Sequence, residues 1–127
     1  MNKVFVYGTL MEGFGNHRLL EGNYKSKQDA YTFGTLYLGR IPYLKLEDDN
    51  IVEGELYELE EDILEDILKQ LDSLEGHPRV YKRKLIKVFT EDGKNATKHQ
   101  AWAYEYQGRP YNMTTGHSYK IYKEGLK

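Results

Sequence analysis

Ile63-Leu64-Glu65-Asp66-Ile67-Leu68-Lys69-Gln70-Leu71-Asp72-Ser73-Leu74-Glu75-Gly76-His77-Pro78 is the one long stretch of this chain with helical periodicity. Ile63, Leu64, Ile67, Leu68, Leu71 and Leu74 recur at the spacing of a single helix face, and Glu65, Asp66, Lys69, Gln70 and Asp72 fill the other. Glu60, Glu61 and Asp62 place acids in the first turn, and Gly76 and Pro78 are stop signals beyond the last apolar residue. Outward from this helix the chain reads as strands. Lys3 to Tyr7 is a short one that ends in Gly8-Thr9-Leu10, and Tyr31 to Leu38 and Ile51 to Leu59 are rich in β-formers. Val80 to Thr90 is a long strand, and Glu91-Asp92-Gly93-Lys94 carries an Asp-Gly hairpin signal leading into Gln100 to Tyr106. Gly34 and Gly54 suggest bulges or bends inside strands, and Asn16 is placed to cap a short helix carrying Leu19 and Leu20. One helix among about six strands argues for α+β rather than alternating βαβ units. The expected architecture is a small antiparallel or mixed β-barrel with one main amphipathic helix and short peripheral helices.

A chain of 127 residues, 39% hydrophobic, is the size of one domain with one core, so residues 1–127 are expected to form a single domain. Residues 107–127 are the least periodic part, rich in Gly, Tyr and Lys, and read as a frayed tail or a flap. Eighteen basic against 20 acidic residues give a net charge of −2, which offers no electrostatic case for nucleic acid or an anionic membrane. The chain has no cysteine, which excludes disulfides, thiol nucleophiles and cysteine-ligated metals. The apolar run near the N-terminus, Val4 to Tyr7, is too short for a signal peptide or a membrane span, so a cytoplasmic setting is the expectation.

Candidate chemistry is sparse. His17, His77, His99 and His117 show no metal-ligand spacing, and Glu47-Asp48-Asp49-Asn50 lacks the pattern of a calcium loop, so no metal and no cofactor are expected. Gly13-Phe14-Gly15-Asn16 is followed by no nucleotide-binding signature, and Ser73 has no nucleophile elbow around it. Two features remain. Gly8-Thr9-Leu10, directly after a strand, is either an ordinary strand end or a turn that exposes backbone N–H groups to a ligand oxygen. Glu75 falls where the main helix ends, the wrong end for a negative charge, with Asp72 one turn before it. Both effects push its pKa upward, so Glu75 is either a surface acid at a helix end or a general base.

The ordered set of blocks is more specific than any one of them. Val6-Tyr7-Gly8-Thr9-Leu10, Asn16-His17, Gly34-Thr35-Leu36-Tyr37-Leu38-Gly39 with Pro42, Val52-Glu53-Gly54-Glu55-Leu56-Tyr57, Leu71 to Pro78, Tyr81 with Arg83, and Ala101-Trp102-Ala103-Tyr104 resemble the gamma-glutamyl cyclotransferase-like family. The compact size, the Asn16-His17 pair and Tyr81/Arg83 look nearest to its gamma-glutamylamine cyclotransferase branch. The resemblance implies a small β-barrel, Glu75 as catalytic acid/base, and Tyr7, Gly8, Thr9 and Leu10 as the substrate-binding turn. It implies a reaction in which the α-amino group of a gamma-glutamyl amine or amide attacks its own γ-carbonyl, releasing 5-oxoproline and an amine. The partner is then a small gamma-glutamyl molecule. Two alternatives stand beside it: a non-catalytic small-metabolite-binding protein that retains the fold and pocket, and a partner-binding β-domain using a tyrosine-rich surface.

Overall fold

In the computed structural model, which describes residues 2–126, β1 (Lys3–Val6) runs through the centre of the fold. Three consecutive apolar residues, Val4, Phe5 and Val6, are all buried, as expected of a strand covered on both faces. β1 pairs antiparallel with β3 (Tyr43–Leu59) on one side and parallel with β5 (Asn95–Tyr106) on the other, which makes the sheet mixed. Two long hairpins supply most of the remaining pairing. β2 (Tyr24–Leu38) pairs with β3, and β4 (Tyr81–Asp92) pairs with β5 through the tight turn at Gly93-Lys94 that the Asp-Gly signal marks. The order is β3-β1-β5-β4-β2-β6, with the short β6 (Thr114–Gly116) last, and the β2–β3 pairing closes the other strands into a ring. Six strands, one main helix and short helices are thus the architecture of the described residues.

The main helix follows the sequence closely. A 3-10 turn, Glu61–Ile63, leads into α1 (Leu64–Glu75), which buries Ile67, Leu68 and Leu71. Gly76 then takes a left-handed conformation at φ 65°, where a side chain would be strained. The N–H of His77 donates to Asp72 C=O at 2.9 Å and that of Gly76 to Ser73 C=O at 3.3 Å, a Schellman closure. α1 therefore stops abruptly with Glu75 as its last residue.

Several boundaries differ from the sequence-based expectations. β2 and β3 begin well before Tyr31 and Ile51: residues 25–29 of β2 are all polar and leave no apolar alternation to read, and in β3 the short Leu44/Leu46 alternation is cut off from Ile51 by the polar residues 47–50. A register shift falls at Gly34/Thr35 as expected, but Gly54 sits in regular register with Ala30. A Cβ at Gly54 would meet the Val6 carbonyl at 2.2 Å, so its role is close approach of the end of β1 rather than a bulge. Asn16 does not cap. It lies inside a 3-10 helix, Gly15–Leu19, preceded by Phe14. Finally, the segment expected as a tail or flap carries β6 (Thr114–Gly116), paired with Leu36–Leu38, and α2 (Tyr119–Glu124). Ser118 caps α2 by accepting from the Ile121 N–H, and Tyr119 is buried with its ring 5.4 Å from that of Phe14. A six-residue helix is too short for periodicity to reveal it.

Candidate active site

The turn that leaves β1 is built to leave donors free. Its carbonyls are occupied: Gly8 C=O accepts from the Met11 N–H at 3.0 Å, and Thr9 C=O from the Asn16 N–H at 3.1 Å. Leu10 C=O lies 3.1 Å from His17 Nδ1, which must then carry the proton. The N–H groups of Gly8, Thr9 and Leu10 have no protein acceptor among the described residues. The turn is also tightly seated, since a Cβ on Gly8 would lie 2.5 Å from Pro42 Cγ. Behind it, Glu55 accepts from the Glu12 N–H at 2.9 Å and from the Tyr57 hydroxyl at 2.8 Å, with Lys27 at 3.6 Å. That buried cluster fixes where the loop returns to the protein body.

Glu75 faces this turn across a cavity of about 310 Å³ that Tyr7, Gly8, Thr9, Leu10 and Glu75 all line. All five residues expected at a site are therefore brought together there. Burial lifts the Glu75 carboxyl from its ordinary 4.5 to about 7. Asp72 contributes nothing to this shift, contrary to expectation. Although its own partial burial works the other way, the Arg83 guanidinium and the Tyr104 hydroxyl hold Asp72 below the usual carboxylate range. Arg83 donates to it through Nε at 2.8 Å and Nη2 at 3.2 Å, and Tyr104 at 2.6 Å, so its charge is already neutralised. The helix terminus matters less than its position suggests, because the Schellman bonds satisfy two of its last carbonyls.

Three phenols complete the walls, and all are spoken for. Tyr7 donates to Tyr104 C=O at 2.6 Å, Tyr81 to Pro42 C=O at 2.7 Å, and Tyr104 to Asp72. Burial above all, with Glu75 adding to it, pushes each phenol well above its ordinary range. They stay neutral scaffold, and among the described residues Glu75 is left as the only acidic or basic side chain lining the cavity. Among the described residues Glu75 has no hydrogen-bond or ion-pair partner, and no group of three His, Cys, Asp or Glu gathers to hold a metal.

Sequence reasoning missed part of the lining. Asn16 donates from Nδ2 to Thr9 Oγ1 at 2.8 Å and reaches the cavity, a role its reading as a cap hid. Ile41, Pro42, Leu74, Val80 and Tyr104 line it as well. Of these, Leu74, Val80 and Tyr104 carried only helix and strand signals, Pro42 only a place beside one family block, and Ile41 no signal. His17 is buried, 3.1 Å from the Leu10 C=O, and is not part of the lining. No described helix is long and apolar enough to cross a membrane.

Known proteins resemble this chain in sequence and in fold. A protein of Methanocaldococcus jannaschii named "Putative gamma-glutamylcyclotransferase" is 35% identical over 127 residues, covering 97% of this chain and 99% of its own length. The gamma-L-glutamyl-butirosin B gamma-glutamyl cyclotransferase of Niallia circulans is 30% identical over 97% of this chain and 78% of its own. Among solved structures, an AIG2-like protein from Mus musculus superposes with a TM-score of 0.71 at 24% identity, covering 94% of this chain and 88% of that one. The family described as "Gamma-glutamyl cyclotransferase, AIG2-like" matches residues 4–124. This chain belongs to the gamma-glutamyl cyclotransferase, AIG2-like family.

Proposed function

We propose that this protein cyclises a gamma-glutamyl amine or amide, releasing 5-oxoproline and a free amine, in the manner of the gamma-glutamylamine branch. The carrying observation is a lone carboxyl at about 7 facing three unoccupied backbone N–H groups across one cavity. The Niallia relative, named for gamma-L-glutamyl-butirosin B, acts on a molecule of the same gamma-glutamyl type.

In this reading the substrate's α-amino nitrogen attacks its own γ-carbonyl carbon. A new C–N bond closes the five-membered lactam, and the bond to the departing nitrogen breaks. Between α-ammonium and lactam N–H the attacking nitrogen gives up two protons; Glu75 takes each in turn and passes it to the leaving nitrogen, which departs as an amine and ends as its ammonium, so that Glu75 returns to its starting state. A carboxyl at about 7 is ionised often enough to accept and acidic enough to donate near neutral pH. The N–H groups of Gly8, Thr9 and Leu10 hold the substrate carboxylate or the oxyanion that develops on the γ-carbonyl. Tyr7 shapes the pocket, its hydroxyl being committed to Tyr104. The nucleophile belongs to the substrate, so the protein's task is to hold amine and carbonyl in contact, which can contribute several kcal/mol (up to about 7–11). Incubation with gamma-glutamylmethylamide should release 5-oxoproline and methylamine in equal amounts. Release of glutamate in place of 5-oxoproline would make the reaction a hydrolysis and overturn the proposal.

A further inference from the structure

The hydrogen bonds that hold the turn after β1 form a chain with a direction. In a trans peptide unit the C=O of one residue and the N–H of the next point opposite ways, so whatever holds the carbonyl also aims the N–H. Thr9 C=O accepts from the Asn16 N–H at 3.1 Å, which points the Leu10 N–H away from the 3-10 helix Gly15–Leu19. Gly8 C=O accepts from the Met11 N–H at 3.0 Å, which points the Thr9 N–H away from Met11. The Met11 N–H belongs in turn to the Leu10–Met11 unit, whose carbonyl accepts from His17 Nδ1–H at 3.1 Å. One side chain thus holds two successive peptide units and the free donor at their end.

The surroundings of His17 keep its ring in that position. Its own N–H donates to Phe14 C=O at 3.1 Å and its C=O accepts from the Leu20 N–H at 2.8 Å, so its backbone is committed to the helix. The ring is buried, with the ring of Tyr57 5.8 Å away and that of Tyr24 6.4 Å away. Tyr57 donates its proton to Glu55, so its oxygen, 3.4 Å from Nδ1, is a second and longer acceptor. Glu55 also accepts the Glu12 N–H, which ties the residue after Met11 to the same cluster. An apolar side chain could fill this site but could not hold the Leu10 carbonyl. Each carbonyl that accepts a hydrogen bond also polarises its own peptide unit, which makes the N–H on the far side a stronger donor.

We infer that His17 is a positioning residue: its Nδ1–H, acting through the Leu10–Met11 and Gly8–Thr9 peptide units, aims the Thr9 N–H at the substrate. The inference rests on the cyclotransfer reading and adds to it the group that sets one donor of the turn. Three substitutions separate the donor from the packing. In Asn the side-chain nitrogen stands as many bonds from Cα as Nδ1 does in His, in Gln it stands one bond further, and Leu has no donor. With gamma-glutamylmethylamide, kcat/KM for 5-oxoproline release should fall about 10–100-fold in His17→Leu and His17→Gln. His17→Asn should stay within about fivefold of the wild type. In every variant the rise of kcat/KM with pH should keep its midpoint at about 7, because Glu75 keeps its surroundings. A loosened fold would instead let water reach Glu75 and move the midpoint toward 4.5. His17→Asn as slow as His17→Leu, wild-type rates in His17→Leu, or a lowered midpoint overturns the role of His17 while leaving cyclotransfer intact. Should His17→Leu not fold, His17→Gln gives the same comparison with His17→Asn. No 5-oxoproline from the wild type with gamma-glutamylmethylamide or gamma-glutamyl-n-butylamide overturns both readings.

Discussion

Glu75→Gln should stabilise this protein above neutral pH and leave it almost unchanged in mild acid. The physical reason is the burial that lifts the carboxyl from 4.5 to about 7. Between those values the folded protein keeps a proton that the unfolded chain has lost, so stability falls as pH rises. At about 1.4 kcal/mol per pH unit, ionising Glu75 in place costs about 3 kcal/mol once the pH is well above 7. Glutamine has the shape of the neutral carboxyl and never ionises. At pH 8.5 the variant should therefore exceed the wild type by about 2–3 kcal/mol, or roughly 10 °C in Tm for a chain of this size. At pH 4.5 the gap should shrink below about 0.5 kcal/mol. Urea denaturation of both proteins at the two pH values measures this, with equal m-values as the control for two-state behaviour. Other titrating groups cancel in the difference. A gap of the same size at both pH values would refute the claim that Glu75 is half-buried with a raised pKa.

Three further substitutions probe the frame around it. Gly8→Ala forces a methyl group to within 2.5 Å of Pro42 Cγ, so kcat/KM should fall about tenfold or more, with a loss of about 1–3 kcal/mol in stability. Adding Pro42→Ala removes the clashing carbon and should restore part of both; a double variant no better than the single one would place the fault elsewhere. Asp72→Ala leaves the Arg83 guanidinium and the Tyr104 hydroxyl without their acceptor and should cost about 2–3 kcal/mol at pH 7 by chemical denaturation. Because Asp72 is held below its ordinary range, that cost should disappear as the pH falls through and below the ordinary aspartate value; a pH-independent cost would argue against the ion pair. Tyr119→Phe deletes only the bond to Arg40 C=O and should cost about 1 kcal/mol, whereas Tyr119→Ala empties a buried site and should cost about 3–5 kcal/mol. If Tyr119→Ala unfolded at the wild-type midpoint, the β6–α2 segment would be a loose tail after all.

The parts of the fold that depend on local pattern were legible. The amphipathic face from Ile67 to Leu71, the stop at Gly76 and the turn at Gly93 are short-range features, and each stands where the residues put it. The unread parts depend on tertiary partners. Residues 26–29 pair through the backbone while their side chains are polar, so no alternation marks them. Gly54 answers to the Val6 carbonyl, nearly fifty residues away in sequence. The same division holds at the site. Glu75 and the Tyr7–Leu10 turn carried signals of helix end and strand end, whereas Pro42, Tyr104 and Ile41 reach the cavity only because distant strands bring them there. The raised carboxyl was anticipated for the wrong reason. Helix end and Asp72 were the expected causes, but burial does the work while Asp72 is occupied with Arg83.

The most direct test is the pH dependence of 5-oxoproline release from gamma-glutamylmethylamide by the wild type and Glu75→Gln. A base must be ionised to act, so wild-type kcat/KM should rise with pH through a midpoint of about 7. Glu75→Gln should lose about 10²–10⁴-fold in kcat, together with that limb of the profile, and still bind the substrate. Wild-type turnover in the Gln variant, with the limb at about 7 intact, would contradict the assignment of Glu75 as the proton shuttle.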